Sequence, residues 1–186
     1  CSSAENITVG GPNDNIQIQS TINQMVCNSD SSGAIAINII GGTSPYNINW
    51  TGPNGFTSTD EDLTNINEPG DYTISVTDAN GCPDTGPLTE IYTITEPSAI
   101  VIDTNIVQPT CDSTDGILYV TVSGGTVSGD YTYVWDDIST PEYNKSFDDS
   151  LSDVGAGNYV ITVTDDNLCS DSVIIAISDL NGPTLS

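Results

Sequence analysis

Four segments of the chain alternate apolar and polar residues with a period of two. These segments, residues 34–39, 72–77, 118–122 and 159–164, are rich in Ile, Val, Thr and Tyr. Side chains of a β-strand point alternately to opposite faces, and β-branched and aromatic residues suit a sheet that is buried on one face. The pattern therefore predicts four half-buried strands.

Short turn signals separate these strands, and no window shows the period of an amphipathic helix. Gly-Gly, Asn-Gly and Pro-Gly pairs follow one another at short spacing, and such pairs favour tight turns. Many short strands with regular turns are typical of β-sandwiches. We therefore expect an all-β fold without significant helix, built from tandem Ig-like β-sandwich modules.

A long sequence motif occurs twice and sets the expected domain boundaries. Each copy contains, in order, Cys, Gly-Gly, Tyr, Trp, Leu and a strand that ends in Asp-x-Asn-x-Cys. The copies lie about 85 residues apart and predict one module each, at residues 16–97 and 98–186. Residues 1–15 resemble the segments that follow Cys82 and Cys169, the last cysteine of each copy. This resemblance predicts that they form the last strand of a preceding, truncated repeat. The alternative is an N-terminal tether, with Cys1 acylated as in a lipoprotein.

Two tryptophans and two tyrosines occupy matching positions in the copies and are predicted to build the core. Trp50 and Trp135 fall on the third strand of their modules, where Ig-like sandwiches place a buried Trp. Tyr72 and Tyr159 stand near the start of a later strand, as in a tyrosine corner, whose hydroxyl bonds backbone upstream. We therefore assign all four residues to the structure rather than to a ligand site.

The cysteines predict disulfides and an oxidising location. Cys27 and Cys82 match Cys111 and Cys169 in the repeat, so the economical pairing is one disulfide within each module. Each bridge would contribute about 4 kcal/mol in the chain-entropy model. Persistent disulfides predict a secreted, extracellular protein at the cell surface. A zinc site is the rival interpretation, which the absence of His and of CxxC spacing disfavours.

The charge balance excludes most catalytic and binding chemistry. The chain has 186 residues, of which 26 are Asp or Glu, one is Lys or Arg and none is His, so its formal net charge is −25. A chain this acidic repels nucleic acid and anionic membranes. Without His there is no Ser-His-Asp or Cys-His nucleophile, and Lys145 stands alone. We therefore expect no enzyme, no nucleic-acid partner and, from the short apolar runs, no membrane-spanning segment.

The best-matched stretches of the repeat are residues 41–50, Gly-Gly-Thr-Ser-Pro-Tyr-Asn-Ile-Asn-Trp, and residues 70–82, which end in Asp-Ala-Asn-Gly-Cys. In this order and spacing they resemble the SprB repeat, found in very large surface proteins of Bacteroidetes bacteria. The resemblance covers both modules. The second copy departs from it by a longer segment at residues 126–130 and by Leu168 in place of a glycine.

The resemblance implies an extracellular adhesin or filament array, exported by type IX secretion and, in some members, moved along the cell during gliding. Its partners would be neighbouring repeats of the same array, further copies in a filament, and surface glycans or abiotic surfaces. Three Asp-Ser sequences also resemble Bacteroidetes O-glycosylation sites. Their candidate acceptors are Ser113, Ser150 and Ser172.

Clusters of aspartates in predicted loops are candidate calcium ligands, because Ca²⁺ prefers oxygen donors. No EF-hand sequence encloses them, so a simply solvated acidic surface is the alternative. Apart from Ca²⁺, no cofactor is expected. The candidate ligands are Asp60, Asp62, Asp148, Asp149 and Asp153.

A carbohydrate-binding accessory module of a secreted protein or surface lipoprotein is the alternative function. Exposed aromatic rings can stack on sugars, and Phe56, Tyr92, Tyr133 and Tyr143 are the candidate platform residues. Paired carboxylates also raise the question of a glycosidase. Two modules with one shared plan and no pocket-forming insertion disfavour catalysis.

Overall fold

A computed structural model describes residues 15–83, 86–138 and 142–178, without the side chains of residues 142–145. The chain forms two compact units. Unit 1 comprises Cys1–Met25 and Ser29–Glu96, and unit 2 comprises Val26–Asn28 and Pro97–Ser186. The predicted strand or tether at residues 1–15 lies, except for its last residue, outside the described residues.

Unit 1 consists of two antiparallel sheets. In one sheet the strand order is β1-β2-β5, and in the other it is β4-β3-β6-β7. A short 3-10 turn at Pro53–Gly55 precedes β4. The strands are β1 (Gln17–Asn23), β2 (Gly33–Ile40), β3 (Asn47–Thr51), β4 (Thr57–Ser58), β5 (Leu63–Ile66), β6 (Gly70–Thr77) and β7 (Leu88–Ile94).

Unit 2 repeats this arrangement strand by strand. Its sheets have the orders β12-β9-β8 and β11-β10-β13-β14. The strands are β8 (Val101–Val107), β9 (Gly116–Ser123), β10 (Thr132–Asp137), β11 (Glu142–Ser146), β12 (Ser150–Val154), β13 (Gly157–Thr164) and β14 (Ser170–Ile177).

In each unit the first, second and fifth strands face a sheet made of the other four, which is the arrangement of an Ig-like sandwich. The prediction of an all-β fold of tandem Ig-like modules is confirmed. The described residues contain no α-helix, and no helix among them is long and apolar enough to cross a membrane.

The core of each unit surrounds its tryptophan. Trp50 and Trp135 are both fully buried. Each indole N–H donates to a backbone carbonyl, that of Asp60 (3.0 Å) and that of Asp148 (2.9 Å). The sixth strand of each unit supplies three alternating buried side chains. Fully burying such a side chain contributes about 1.5–3 kcal/mol. These side chains are Tyr72, Ile74 and Val76 in β6, and Tyr159, Ile161 and Val163 in β13.

The two tyrosines form tyrosine corners. The Tyr72 hydroxyl donates to the carbonyl of Glu68 (2.9 Å), and the Tyr159 hydroxyl donates to the carbonyl of Gly155 (3.2 Å). In both cases the acceptor lies four residues upstream. The same side chain therefore fills the core and fixes the approach to the sixth strand.

Candidate functional site

A buried aspartate closes the turn between the last two strands of unit 1. Asp78 follows β6 directly and is 4% exposed. Its Oδ1 accepts hydrogen bonds from the backbone N–H groups of Asn80 (2.9 Å) and Cys82 (2.8 Å). Its Oδ2 accepts one from the N–H of Thr43 (3.0 Å), in the loop between β2 and β3. The carboxylate therefore ties its own turn to a neighbouring loop through charge-assisted hydrogen bonds.

Unit 2 repeats this arrangement at Asp165. Its Oδ1 accepts from the N–H groups of Asn167 and Cys169 (both 2.9 Å), and its Oδ2 accepts from the N–H of Thr126 (2.8 Å). We call this structure the aspartate turn. The sequence pattern identified a turn here but not the role of the carboxylate. The available signal was an aspartate at the same place in both Asp-x-Asn-x-Cys motifs.

The Gly-Gly pair of each repeat makes room for the carboxylate. Gly42 and Gly125 have φ values of 64° and 65°, in the left-handed region that glycine adopts readily. A Cβ on Gly125 would lie 2.8 Å from Oδ2 of Asp165, and a Cβ on Gly42 would lie 3.3 Å from the Cβ of Asp78. Backbone conformation and close approach both require glycine at these positions.

Hydrogen bonds from the backbone hold the pKa of Asp78 below its ordinary value. The N–H of Cys82 is the largest cause. Desolvation opposes it, and the N–H groups of Thr43, Asn80 and Gly81 lower the pKa further. The pKa of Asp115 is lowered in the same way, chiefly by the N–H of Thr110. These carboxylates are anions that organise backbone. They are poor general acids at neutral pH, because they hold no proton to donate.

Unit 2 contains a disulfide between Cys27 and Cys169, across a sequence separation of 142 residues. The predicted pairing of Cys27 with Cys82 and of Cys111 with Cys169 is therefore wrong. The reason is that Cys27 belongs to unit 2, although its neighbours on both sides in the sequence belong to unit 1. Cys82 is half-buried and Cys111 is exposed.

Hydrogen bonds also hold residues 26–28 within unit 2. The side-chain amide of Asn167 donates to the carbonyl of Val26 (3.2 Å), and that of Asn28 donates to the carbonyl of Pro97 (3.1 Å). Matching positions in the repeat suggested equivalent partners for the cysteines. They carried no information about this tripeptide, since its place is set by contacts distant in sequence.

A cavity of about 380 Å³ lies beside the disulfide of unit 2. Its wall includes both bridged cysteines, residues 97–100, Leu168 and Asp165. The carboxylate of Asp165 is occupied by backbone donors. Every buried side-chain nitrogen or oxygen among the described residues has a hydrogen-bond partner.

The aspartates proposed as calcium ligands do not meet in a metal-binding group. Within the described residues, no three or more Asp, Glu or Cys side chains are placed to hold a metal ion. An oxygen of Asp62 accepts from the N–H of Ile37 (2.8 Å), and one of Asp60 accepts from the Ser58 hydroxyl (2.9 Å). Calcium binding stays a prediction. The three candidates of unit 2 are exposed: Asp148, Asp149 and Asp153.

Tyr92 belongs to the core, and its expected exposure on a carbohydrate platform is wrong. It is 7% exposed, and its ring centroid lies 6.0 Å from that of Trp50. Its hydroxyl donates to the carboxylate of Glu90 (2.5 Å). Burial, and then this hydrogen bond, raise the pKa of Tyr92 to about 12.

The other candidate platform residues lie in separate environments. Phe56 is 37% exposed and packs edge-on against Tyr72, with centroids 5.4 Å apart. Tyr133 is half-buried and packs against Tyr131 at 6.4 Å. The side chain of Tyr143 lies outside the described residues.

The candidate glycosylation sites differ in exposure. Ser172 is exposed, on β14, whereas Ser113 and Ser150 are half-buried. A modifying enzyme reaches an exposed hydroxyl more readily, so Ser172 is the most accessible acceptor. Glycosylation stays a prediction at all three positions.

No family model matches the sequence, and no curated protein matches it. Solved structures with similar folds include the N-terminal eight Ig domains of Down syndrome cell adhesion molecule (14% identity, 90% of this chain, 25% of that chain, TM-score 0.44). Another is a C-terminal intimin fragment, solved with the intimin-binding domain of its translocated receptor. Its sequence identity is 15%, the match covers 88% of this chain and 64% of that chain, and the TM-score is 0.46. A third is DIP-gamma IG1+IG2, with 11% sequence identity, a match over 91% of this chain and 99% of that chain, and a TM-score of 0.42. The chain thus spans about a quarter of the first of these and 64% of the second. At such identities the similarity concerns the fold alone.

Proposed function

We propose that this chain provides structural and adhesive repeat modules of a large extracellular surface protein or filament. The observation that carries the proposal is that two Ig-like units share one plan down to the aspartate turn, with Asp78 and Asp165 bound by equivalent backbone donors. Units that share one plan in this way are typical of repeat architectures.

The chemistry of the described residues supports a non-catalytic role. The buried carboxylates of Asp78 and Asp165 are occupied by backbone N–H groups. The chain has no His to act as a base at neutral pH. The Cys27–Cys169 disulfide supports a secreted location, because such bonds persist in oxidising surroundings.

The finer proposal follows from the resemblance to SprB repeats. In that case the chain is part of a bacterial surface adhesin that is exported by type IX secretion and takes part in gliding. Its partners would be neighbouring repeats of the array and the surfaces, biological or abiotic, to which the cell attaches.

Immunogold labelling of producing cells tests the location. Antibody against the purified chain is expected to label intact cells, and brief treatment with external protease should remove the label. Labelling that appears only after permeabilisation would contradict the proposal. Electron microscopy of the same cells should show thin surface threads that carry the label.

Bead adhesion tests the adhesive part separately. Beads coated with the chain should bind glycan-coated or plastic surfaces more strongly than beads coated with an unrelated folded protein of similar negative charge. Equal binding of the two bead types would leave the surface location standing and remove adhesion.

A further inference from the structure

The Cys27–Cys169 disulfide joins two positions of the repeat that occur in both copies. In the sequence, Cys27 lies between β1 and β2, and Cys169 lies between β13 and β14. Cys111, between β8 and β9, matches Cys27, and Cys82, between β6 and β7, matches Cys169. The chain therefore holds one further cysteine of each of the two kinds that this bond uses.

The turn of unit 1 presents Cys82 as the turn of unit 2 presents Cys169. The N–H of each cysteine donates to Oδ1 of the aspartate four residues upstream, at 2.8 Å in unit 1 and 2.9 Å in unit 2. The carbonyl of each cysteine accepts from the N–H of the same aspartate, at 3.1 Å and 2.9 Å. Two hydrogen bonds therefore fix the backbone of both cysteines in the same way.

The surroundings of the two turns also correspond. In unit 2, Ile100, Gly125 and Asp165 line the cavity beside the disulfide. A Cβ on Gly125 would lie 3.1 Å from Cγ1 of Ile100, and in unit 1 a Cβ on Gly42 would lie 2.9 Å from Cγ1 of Ile16. Unit 1 therefore repeats part of the wall of this cavity beside its own turn.

In unit 2 an asparagine of the turn binds the segment that brings in the first cysteine. The side-chain amide of Asn167 donates to the backbone carbonyl of Val26 (3.2 Å). Every residue has a backbone carbonyl, so the residue before Cys111 can accept in the same way. Asn80 is the matching residue of unit 1, and its amide donates to the hydroxyl of Thr43 (3.1 Å). An incoming carbonyl can take the place of that hydroxyl.

The two remaining cysteines differ in exposure, and one contact of the bonded pair is not repeated. Cys111 is exposed, and Cys82 is half-buried. Asn28, whose amide donates to the carbonyl of Pro97, is replaced by Asp112, and a carboxylate has no N–H to donate. The correspondence therefore rests on the cysteines, the turn and the backbone.

We propose that Cys82 of one copy of this chain forms a disulfide with Cys111 of a second copy, so that copies are linked head to tail. Each copy has one cysteine of each kind. A contact between two different surfaces of the same protein extends into an open filament unless its rotation closes a ring. The proposal deepens the array role, on which it rests, by naming the residues that join neighbouring copies.

The bond forms by thiol–disulfide exchange, with a small-molecule disulfide such as oxidised glutathione as the oxidant. The Cys111 thiolate attacks one sulfur of the small disulfide and displaces the first small thiolate. The Cys82 thiolate then attacks the Cys111 sulfur of this mixed disulfide and displaces the second. The two cysteines lose two electrons and two protons in total, and the small disulfide is reduced to two thiols.

The test mixes two variants that each keep one of the two cysteines. Both carry Cys1→Ser, one carries Cys82→Ser and the other carries Cys111→Ser. Oxidised glutathione is added at about 0.15 M salt, where a Debye length of about 8 Å limits the repulsion between copies of net charge −25. On non-reducing electrophoresis the mixture should give a covalent dimer, whereas each variant alone should stay monomeric. The chain that keeps both cysteines should give a ladder of longer products.

Isotope labelling identifies the two sulfurs. One variant of the mixture is labelled with ¹⁵N, and the dimer is digested at acidic residues without reduction. Mass spectrometry should find a crosslinked peptide pair with one labelled and one unlabelled half, containing Cys82 and Cys111. The pair containing Cys27 and Cys169 should have both halves labelled or both unlabelled, which makes it the internal control.

Asn80→Ala tests the recognition of the incoming segment. Loss of one hydrogen bond should slow the linkage about two- to tenfold. Asn38→Ala, which removes an exposed asparagine of the same unit, is the matched control and should leave the rate unchanged.

Several results would overturn the proposal. They are a mixture that stays monomeric although both variants keep the circular dichroism spectrum of the wild type, equal dimer from each variant alone, and a bond between Cys82 and Cys111 of the same copy. If a serine variant does not fold, mapping on mixed labelled and unlabelled chains that keep both cysteines decides instead.

The native source of the second cysteine is tested on producing cells. Cys82 recovered from them should be bonded to Cys111, and a bond to any other cysteine would assign this position to another donor. If copies link as expected but intact cells carry no immunogold label, the surface location fails and the linkage stands. If the label is present and no linkage forms, the linkage fails alone.

Discussion

The residue before the last cysteine of each repeat, Cys82 or Cys169, has a left-handed backbone conformation. In unit 1 it is Gly81, with φ of 79°, and in unit 2 it is Leu168, with φ of 67° and 83% of its surface exposed. A bulky residue is strained in this region, and an exposed leucine gains little by burial. Leu168 therefore lowers the stability of its own turn.

Leu168→Gly should stabilise unit 2. Relief of backbone strain, partly offset by the greater freedom of glycine in the unfolded chain, predicts a gain of about 0.5–1 kcal/mol in the free energy of unfolding. Urea denaturation measures it. The reverse change at the matching position, Gly81→Leu, should destabilise, and an unaltered midpoint for both variants would refute the argument from φ.

The aspartate turn makes the protein sensitive to acid. The pKa of Asp78 is lowered by folding, so its stabilising effect is present above the unfolded value of about 3.9 and is lost as the pH falls through the folded value. Asp166 acts in the same direction, since the hydroxyl and N–H of Ser128 lower its pKa.

Asp78→Asn should lower the melting temperature at neutral pH and flatten its fall below about pH 4. An amide cannot accept with both of its polar atoms, so at least one backbone donor loses its partner. Thermal melts across the acid range measure this. Asp71→Asn, which removes an exposed carboxylate of the same strand, is the control and should change neither the neutral melting temperature nor the acid slope to a comparable degree.

The phenol of Tyr92 should ionise late in an alkaline titration. Its pKa is about 12 in the folded state and about 10 when unfolded. Its contribution to stability is therefore full below about pH 10 and is lost as the pH rises through about 12. In an alkaline titration followed by the ultraviolet absorbance of phenolate, the Tyr92→Phe variant should lack one late-titrating phenol. Glu90→Gln should shift that phenol earlier, and no shift would show that burial acts alone.

At the scale of elements, the strands were predictable and the long-range connections were not. Residues 34–39 and 159–164 predicted β2 and β13 because alternation is a local property of a sheet with one buried face. The partner of Cys27 depends on where residues 26–28 lie, and no local pattern encodes that.

Limited space, as well as backbone conformation, requires glycine in the Gly-Gly pair. Gly42 and Gly81 both have positive φ, but a Cβ on Gly81 would meet nothing within 4 Å, whereas one on Gly42 would lie 2.9 Å from Cγ1 of Ile16. Gly81→Ala should therefore destabilise by about 1 kcal/mol, and Gly42→Ala by about 1–3 kcal/mol more. Chemical denaturation of the two variants gives the difference directly. Equal destabilisation would mean that the neighbours move aside freely.

At the scale of the whole molecule, the Cys27–Cys169 disulfide divides the covalent chain into a loop and two tails. Non-reducing digestion with an endoproteinase that cleaves at acidic residues should release a crosslinked peptide pair containing Cys27 and Cys169. Cleavage sites abound, since the chain has 26 Asp and Glu residues. A pair linking Cys27 to Cys82 instead would contradict the structure.

The same disulfide fixes the path that a pulling force takes. Tension applied to the two tails passes from Cys27 through the sulfur–sulfur bond to Cys169, and the residues between them carry none of it. In single-molecule stretching the oxidised chain should lack about 480 Å of extension, the contour length of the 142-residue separation. Reductant or Cys27→Ser with Cys169→Ser should restore that length as unfolding steps. Most of the β-structure of both units would thus be exempt from load for as long as one covalent bond survives.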